Sequence, residues 1–216
     1  MKMKCKKEYM QLYAVTDHHW TGKYTLLEQI EAALCGGITC LQLREKNISF
    51  DSFLQEAKEV KKLCYQYNVP LIINDNVEIA LKSGADGVHI GQDDMKLSDA
   101  RKLAGNSLMI GVSAHNQEEA VAAEQNGADY LGCGAAFGSS TKTDANTITL
   151  ATISEICSSV KIPVVAIGGI NANNILKLCG TGVDGAAFIS AIFSADNIEQ
   201  ECRKLLKLTE KIITPV

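Results

Sequence analysis

Short apolar runs alternate with amphipathic stretches along almost the whole chain. The apolar runs are rich in valine, isoleucine, leucine and alanine, which is typical of parallel strands that are covered on both faces. They predict eight strands, at residues 10–15, 39–44, 70–74, 87–90, 108–113, 130–134, 163–168 and 186–190.

The stretches between these strands have helical periodicity. In DSFLQEAKEVKKLCYQY (residues 51–67), apolar side chains recur at i, i+3 and i+4 spacing and form one stripe. The same pattern predicts further helices at 25–35, 76–83, 98–104, 117–126, 149–159, 172–179 and 197–212. A recurrent G-x-D motif (84–86, 127–129 and 182–184) separates helix from strand, where glycine suits the helix end and aspartate the turn.

Eight strands in alternation with eight helices predict a parallel α/β fold. A chain of 216 residues is just long enough for a closed, single-domain (β/α)8 TIM barrel. The alternative is an open, doubly wound sheet, but its first strand usually leads into a glycine-rich phosphate turn, whereas here it leads into TDHHW (16–20). No linker-like stretch divides the chain. We therefore expect one catalytic barrel over residues 1–216, with residues 1–8 as an N-terminal extension.

Composition narrows the range of partners. The formal net charge of −4 argues against a general nucleic-acid binder. The eight cysteines include no C-x-x-C pair, so they are better explained as reduced apolar side chains than as a zinc site or disulfide framework. The N-terminus lacks the apolar segment of a signal peptide, and no apolar run approaches the ~18 residues of a membrane span. We expect a cytoplasmic protein with small-molecule substrates and neither nucleic-acid nor membrane partners.

Residues that follow the strands should converge at one face of a barrel, where such enzymes keep their active sites. These segments supply cations, hydroxyl groups, amides and carboxylates: Gln42, Arg44, Glu45, Lys46, Asn74, Asp75, His89, Asp93, Asp94, Ser113, His115, Ser139, Thr141, Lys142, Gly169, Ile189 and Ser190. For the short stretch CLQLREKN (40–47) taken alone, a strand that simply meets water is the slightly better explanation. Convergence with the other segments favours an anion site at Arg44 and Lys46.

A pair of aspartates suggests a metal. Asp75 and Asp94 follow neighbouring strands, which lie about 5 Å apart in a sheet. Two facing carboxylates raise each other's pKa unless a cation lies between them, and Mg²⁺ prefers such oxygen ligands. An alternative for Asp75 is a helix cap in DNVE, with Glu78 as the returning partner. Asp94 is equally compatible with a solvated turn.

A second phosphate site is predicted near the last two strands. GGINANN (168–174) places glycines and backbone N–H groups after strand 7, and Ser190 follows strand 8, where barrels frequently hold phosphate. A tight turn that needs glycine explains the same residues. No serine or cysteine has a base arranged beside it, so the pattern favours group transfer with diphosphate as the leaving group.

Seven segments resemble thiamine phosphate synthase: QLREK (42–46), IND (73–75), GVHIGQDD (87–94), GVSAH (111–115), TK (141–142), AIGGI (166–170) and ISAI (189–192). They occur in the family's order and cover nearly the whole chain. The resemblance implies an enzyme that joins hydroxymethylpyrimidine diphosphate to a (carboxy)thiazole phosphate with release of diphosphate. It also implies a dissociative mechanism, in which diphosphate leaves before the thiazole nitrogen attacks.

The resemblance also implies roles for individual residues. Arg44, Lys46, Ser113 and Lys142 would be catalytic, and the pyrimidine diphosphate would be bound by Gln42, Leu43, Arg44, Glu45, Lys46, Asn74, Ser113 and Lys142. Asp75 and Asp94 would hold Mg²⁺. The thiazole phosphate would be bound by Ser139, Ser140, Thr141, Gly169, Ile189 and Ser190.

The chain departs from the family pattern after strand 6. Gly134-Ala135 stands where the family usually has Gly-Pro, and Ser139 stands where it usually has threonine. Two rival functions remain: an isomerase like the related thiazole tautomerase, and a non-catalytic barrel that binds a phosphorylated metabolite. The isomerase needs no magnesium bound to diphosphate, so Asp75, Asp94 and Lys142 count against it.

Overall fold

The computed structural model describes residues 5–138 and 147–213. Eight parallel strands close into a barrel in chain order, with the last strand paired to the first. The strands are β1 (Leu12–Val15), β2 (Cys40–Leu43), β3 (Leu71–Asn74), β4 (Gly87–Ile90), β5 (Met109–Ala114), β6 (Tyr130–Cys133), β7 (Val164–Ile167) and β8 (Gly185–Phe188). The prediction of a (β/α)8 barrel is confirmed.

Helices cover the outside of this barrel. They are α1 (Leu26–Cys35), α2 (Phe50–Gln66), α3 (Val77–Ser83), α4 (Leu97–Ala104), α5 (Gln117–Gln125), α6 (Leu150–Ser159), α7 (Ser190–Phe193) and α8 (Ile198–Ile213). Three short 3-10 turns lie at Lys7–Met10, His18–Trp20 and Ile175–Leu178. In the ranges that the structure describes, no helix is long and apolar enough to cross a membrane.

The predicted helix at 172–179 is wrong, because β7 and β8 are joined by only the 3-10 turn Ile175–Leu178. Asparagine side chains compete for the local backbone groups: Asn174 Oδ1 accepts from Asn171 N at 2.8 Å, and Asn171 Oδ1 accepts from Asn173 N at 2.9 Å. The predicted strict alternation also fails after β8, where the short helix α7 precedes α8.

Two apolar layers hold the barrel. The larger layer lies between strands and helices and contains outward-facing strand residues such as Leu12 and Leu43. The smaller layer fills the barrel interior with Met10, Tyr13, Val15, Cys40, Ile72, Met109, Tyr130, Val165 and Ala187. Side chains alternate along each strand between these two layers. Above these side chains, a cavity opens toward the carboxyl ends of the strands.

The repeated aspartates of the G-x-D motif connect neighbouring strands at the opposite end of the barrel. Asp86, Asp129 and Asp184 precede β4, β6 and β8, and each accepts a hydrogen bond from a backbone N–H of the preceding strand, at 2.8, 2.9 and 2.9 Å. Thr39 does the same for Leu12 N before β2, at 2.8 Å. The motif therefore joins strands in pairs as well as forming turns. These hydrogen bonds lie at the face opposite the cavity, where residues contribute to stability rather than to catalysis.

Candidate active site

A cavity opens at the carboxyl ends of the strands and gathers many of the predicted residues. Those that line it are Gln42, Arg44, Asn74, His89, Ser113, His115, Gly169, Ile189 and Ser190. Because they come from strands on all sides of the barrel, one bound molecule or pair of molecules can contact all of them. The structure therefore brings the two predicted phosphate-binding groups together in one space.

Other predicted residues lie elsewhere. Leu43 packs its side chain in the core between the strands and the helices. Glu45 is not among the described lining residues, and its carboxylate lies 2.9 Å from His18 Nε2. Ser139, Ser140, Thr141 and Lys142 lie outside the described residues. Their predicted contacts with substrate stay predictions.

Asp75 and Asp94 come together beside the cavity. Asp94 lies within hydrogen-bond reach of Asp75 and also accepts from Gly91 N at 2.7 Å. Burial, together with the nearby Asp75 carboxylate, raises the pKa of Asp94 above its ordinary value. Two carboxylates that disfavour each other's charge form an arrangement that a divalent cation would stabilise.

Lys46 supplies a cation at this pair. Its Nζ lies 2.7 Å from Asp75 Oδ2. This ion pair gives the two aspartates a charge partner from the protein itself. Since half of the Lys46 side chain is exposed, the ion pair is weak and its ammonium can turn toward an incoming anion.

The interpretation of Asp75 as a helix cap is wrong. Asn76 caps α3, with its side chain accepting from Ile79 N at 2.9 Å. Asp75 instead has a positive φ of 64°, a backbone conformation that non-glycine residues rarely adopt. This conformation places the residue between strand and cap, and its side chain meets Lys46. The carboxylate is thus free of a structural role at the helix.

Arg44 is held in place by the segment after β1. Its backbone N–H donates to Thr16 Oγ1 at 2.9 Å, and its guanidinium lies 3.7 Å from Asp17 Oδ2. The Arg44 side chain is only 15% exposed. A guanidinium that is largely buried and aimed into the cavity is ready to bind an anion, because little side-chain freedom remains to be lost.

A chain of hydrogen bonds crosses the barrel among residues that line the cavity. Gln42 Nε2 donates to Tyr13 Oη at 2.8 Å, and the Tyr13 and Tyr130 hydroxyls are 2.8 Å apart. Tyr130 Oη lies 3.1 Å from His89 Nδ1, and His89 Nε2 lies 3.0 Å from Ser113 Oγ. Burial raises the pKa of both tyrosines well above the ordinary value, so both hydroxyls stay protonated. The chain fixes the orientation of Gln42 and Ser113 from the barrel interior.

Sequence reasoning missed both tyrosines of this chain. Each lies within an apolar strand run, where a tyrosine is easily taken for part of the core. A buried tyrosine hydroxyl usually has a hydrogen-bond partner. Two inward-facing tyrosines on different strands could therefore have been predicted to contact each other. His89, which the sequence placed among the converging residues, has both ring nitrogens within hydrogen-bond distance of a hydroxyl group.

The loop after β7 packs against the loop after β6. Gly168 and Gly169 have positive φ values of 102° and 63°, and a Cβ on Gly169 would lie 2.6 Å from the Gly138 carbonyl oxygen. Only glycine fits this close approach. The peptide bond between Gly134 and Ala135 is cis. Ser190 begins the short helix α7 next to this loop, so its hydroxyl and the Gly169 backbone face the same cavity.

A parallel barrel with cations, paired carboxylates and glycine-rich turns at the carboxyl ends of its strands defines a class: TIM-barrel enzymes that act on phosphorylated substrates. The family model described as thiamine monophosphate synthase matches residues 12–192. The chain therefore belongs to the thiamine monophosphate synthase family, which confirms the family predicted from the sequence.

Individual relatives agree with this assignment. Thiamine-phosphate synthase from Ruminiclostridium cellulolyticum is 50% identical over 95% of this chain and 98% of its own length. Thiamine-phosphate synthase from Clostridium acetobutylicum is 50% identical over 93% of this chain and 95% of its own. The solved structure of thiamine phosphate pyrophosphorylase from Pyrococcus furiosus has a TM-score of 0.89 and 39% identity, covering 96% of this chain and 99% of its own.

Proposed function

We propose that this protein joins hydroxymethylpyrimidine diphosphate to a thiazole phosphate, giving thiamine phosphate and diphosphate. The observation that carries the proposal is the Asp75/Asp94 pair with Lys46 against Asp75, which directly follows Asn74 in the lining of the cavity that Arg44 also lines. Two cations beside a magnesium-type carboxylate pair suit a leaving diphosphate. Membership in the synthase family supports the same reaction.

The carboxylate pair fits Mg²⁺. Both donors are hard oxygen ligands, they lie in contact with each other, and burial with mutual repulsion raises the pKa of Asp94. Asp75 and Asp94 would hold the ion. When bound, Mg²⁺ would neutralise part of the diphosphate charge and make it a better leaving group.

The chain's own residues act on both halves of the reaction. As the methylene C–O bond breaks, its electron pair leaves with diphosphate, and Arg44, Lys46 and Lys142 stabilise the growing negative charge. The thiazole nitrogen then donates its lone pair to the methylene carbon and forms the new C–N bond. Gln42, Asn74 and Ser113 orient the pyrimidine diphosphate so that these atoms meet.

The thiazole phosphate belongs on the other side of the cavity. Gly169, Ile189 and Ser190 line that side, and their backbone groups and hydroxyl are suitable donors for phosphate. Ser139, Ser140 and Thr141 complete this site in the proposal, on the strength of the sequence resemblance. The two phosphorylated groups would thus bind in one cavity, at the ends of different strands.

The rival functions make different predictions for one assay. The assay measures diphosphate release by the purified protein with both substrates and Mg²⁺. The synthase releases diphosphate only when the thiazole phosphate is also present, and it stops in EDTA and recovers with added Mg²⁺. A tautomerase or a non-catalytic binding barrel releases none. Full turnover in chelator would remove the metal assignment while leaving the transferase in place.

A further inference from the structure

We propose that His18, Glu45 and Glu56 form a second cation site, which takes a divalent transition metal such as Zn²⁺. His18 lies in the 3-10 turn after β1, Glu45 follows β2, and Glu56 lies in α2. This "outer triad" is built from other residues than the Asp75/Asp94 pair. The inference does not depend on the transferase reaction.

The distances within the outer triad suit one ion. His18 Nε2 lies 2.9 Å from Glu45 Oε1 and 3.6 Å from Glu56 Oε2, and all three ligand atoms lie within 4.8 Å of one another. Bonds of about 2.0–2.2 Å from nitrogen or carboxylate oxygen to tetrahedral Zn²⁺ place ligands roughly 3.3–3.5 Å apart. The two measured contacts bracket that separation, so small side-chain movements would bring the atoms around a single metal.

Within the ranges that the structure describes, one oxygen of each carboxylate lacks a hydrogen-bond partner. The Glu45 side chain is only 3% exposed, and neither its Oε1 nor the Glu56 Oε1 has a hydrogen-bond partner among the described residues. The close contact between His18 and Glu45 therefore lacks hydrogen-bond geometry. Buried carboxylate oxygens without donors are costly, and a coordinated cation removes that cost.

The charged groups around the outer triad also favour a bound cation. Burial, followed by the neighbouring Glu56 and then Asp17, raises the pKa of Glu45 to about 8. Arg44 is the nearby cation that opposes this rise, but its guanidinium pairs with Asp17 and faces the cavity. Without a metal, the raised pKa keeps Glu45 largely protonated at neutral pH, and metal binding would displace this proton. A divalent ion would balance two carboxylates, and the neutral imidazole would supply the nitrogen ligand.

The chemistry of the donors separates this site from the magnesium site. One imidazole nitrogen with two carboxylates suits Zn²⁺ or a related transition metal, whereas the Asp75/Asp94 pair offers only hard oxygen. Three protein ligands would leave a fourth position for water. A bound ion would also tie the turn after β1 to α2, directly behind the backbone that carries Arg44.

Titration calorimetry of the full-length protein with Zn²⁺, in excess Mg²⁺ to fill the Asp75/Asp94 site, tests the proposal. We expect one Zn²⁺ per chain, with affinity at least ~tenfold weaker in His18→Ala and in the isosteric Glu56→Gln. The adjacent His19→Ala should bind as the wild type does. Thermal unfolding should show stabilisation by Zn²⁺ in wild type and His19→Ala but not in the other two variants.

A second measurement identifies the ligands. Trp20 is the only tryptophan, and it lies two residues from His18, so Co²⁺ bound at the outer triad should quench its fluorescence. The Co²⁺ spectrum should lack the near-ultraviolet band of thiolate ligation, which exposed Cys35 or Cys179 would give. Absence of binding, equal affinity in wild type and His18→Ala, or a thiolate band would overturn the proposal, whatever the outcome of the diphosphate assay.

Discussion

Lys46 Nζ lies 2.7 Å from Asp75 Oδ2, so a cation predicted to bind substrate and a carboxylate predicted to bind metal are partners in the substrate-free protein. Each group therefore partly neutralises the other until diphosphate and Mg²⁺ arrive. Binding of the two would exchange one ion pair for two: Lys46 with diphosphate and Asp75 with the metal. The binding of diphosphate and the binding of Mg²⁺ would therefore favour each other, and the barrel would not have to change its structure.

Removing the Lys46 charge should tighten Mg²⁺ binding to the free protein. An exposed ion pair is worth about 0.2–1 kcal/mol, so Lys46→Met should bind Mg²⁺ about 1.4- to fivefold more tightly by calorimetry. The same variant should bind pyrimidine diphosphate more weakly. The matched control is Lys82→Met, which removes an exposed lysine paired with Glu78 on α3. Unchanged Mg²⁺ affinity in Lys46→Met would show that Asp75 is not a ligand.

The division of the cavity into two phosphate sites can be tested at Ser190. A Ser190→Asp change puts a negative charge against the thiazole phosphate, so its KM should rise while that of pyrimidine diphosphate changes little. Ser158→Asp adds the same charge at an exposed serine of α6, outside the described cavity lining, and should alter neither constant. Equal damage to both substrates by Ser190→Asp would contradict the division. Steady-state kinetics with each substrate varied in turn measures both values.

The tyrosine pair should contribute to stability from inside the barrel. Tyr130→Phe removes the hydroxyl that contacts both Tyr13 and His89, so the free energy of unfolding should fall by about 1–2 kcal/mol. Tyr65→Phe is the control, because that side chain is 76% exposed, and it should change the value by less than about 0.5 kcal/mol. Urea unfolding measures both. A loss no larger than the control's would mean that the hydrogen-bond chain adds nothing to stability.

The G-x-D motif should matter for folding and not for the reaction. Asp184→Ala leaves Val164 N without its acceptor and should cost about 1–3 kcal/mol in the free energy of unfolding, while kcat stays unchanged. Asp99→Ala, at an exposed residue of α4 paired with Lys102, should cost less than about 1 kcal/mol. Urea unfolding and diphosphate release separate the two effects. A fall in kcat without loss of stability would show that Asp184 acts in the reaction and not in folding.

Apolar patterning predicted the strands well because every strand of a parallel barrel is buried on both faces. It failed at 172–179, where the pattern matched a helix but three asparagines and the following glycines favoured tighter turns. Periodicity reports which side chains are buried. It does not report which backbone groups those side chains will satisfy.

Strand order predicted that residues such as Gln42, Asn74 and Ser190 would line one cavity, because barrel geometry brings the strand ends together. It did not predict side-chain partners. The Lys46–Asp75 ion pair, the role of Asn76 as cap and the direction of Glu45 toward His18 all depend on rotamers and loop backbone. The hydrogen bond between Tyr13 and Tyr130 was not predicted either, because it joins residues 117 positions apart in the sequence.

The central claim is that Arg44 stabilises charge that grows as diphosphate leaves. Its direct test is steady-state diphosphate release by wild type and Arg44→Ala, with Arg203→Ala as the control because Arg203 is an exposed residue of α8 paired with Glu199. We predict that Arg44→Ala lowers kcat and kcat/KM together by about 10²-fold or more, as for loss of one preorganised oxyanion donor, and that the control matches wild type. An Arg44→Ala variant that only raises KM at unchanged kcat would contradict the account.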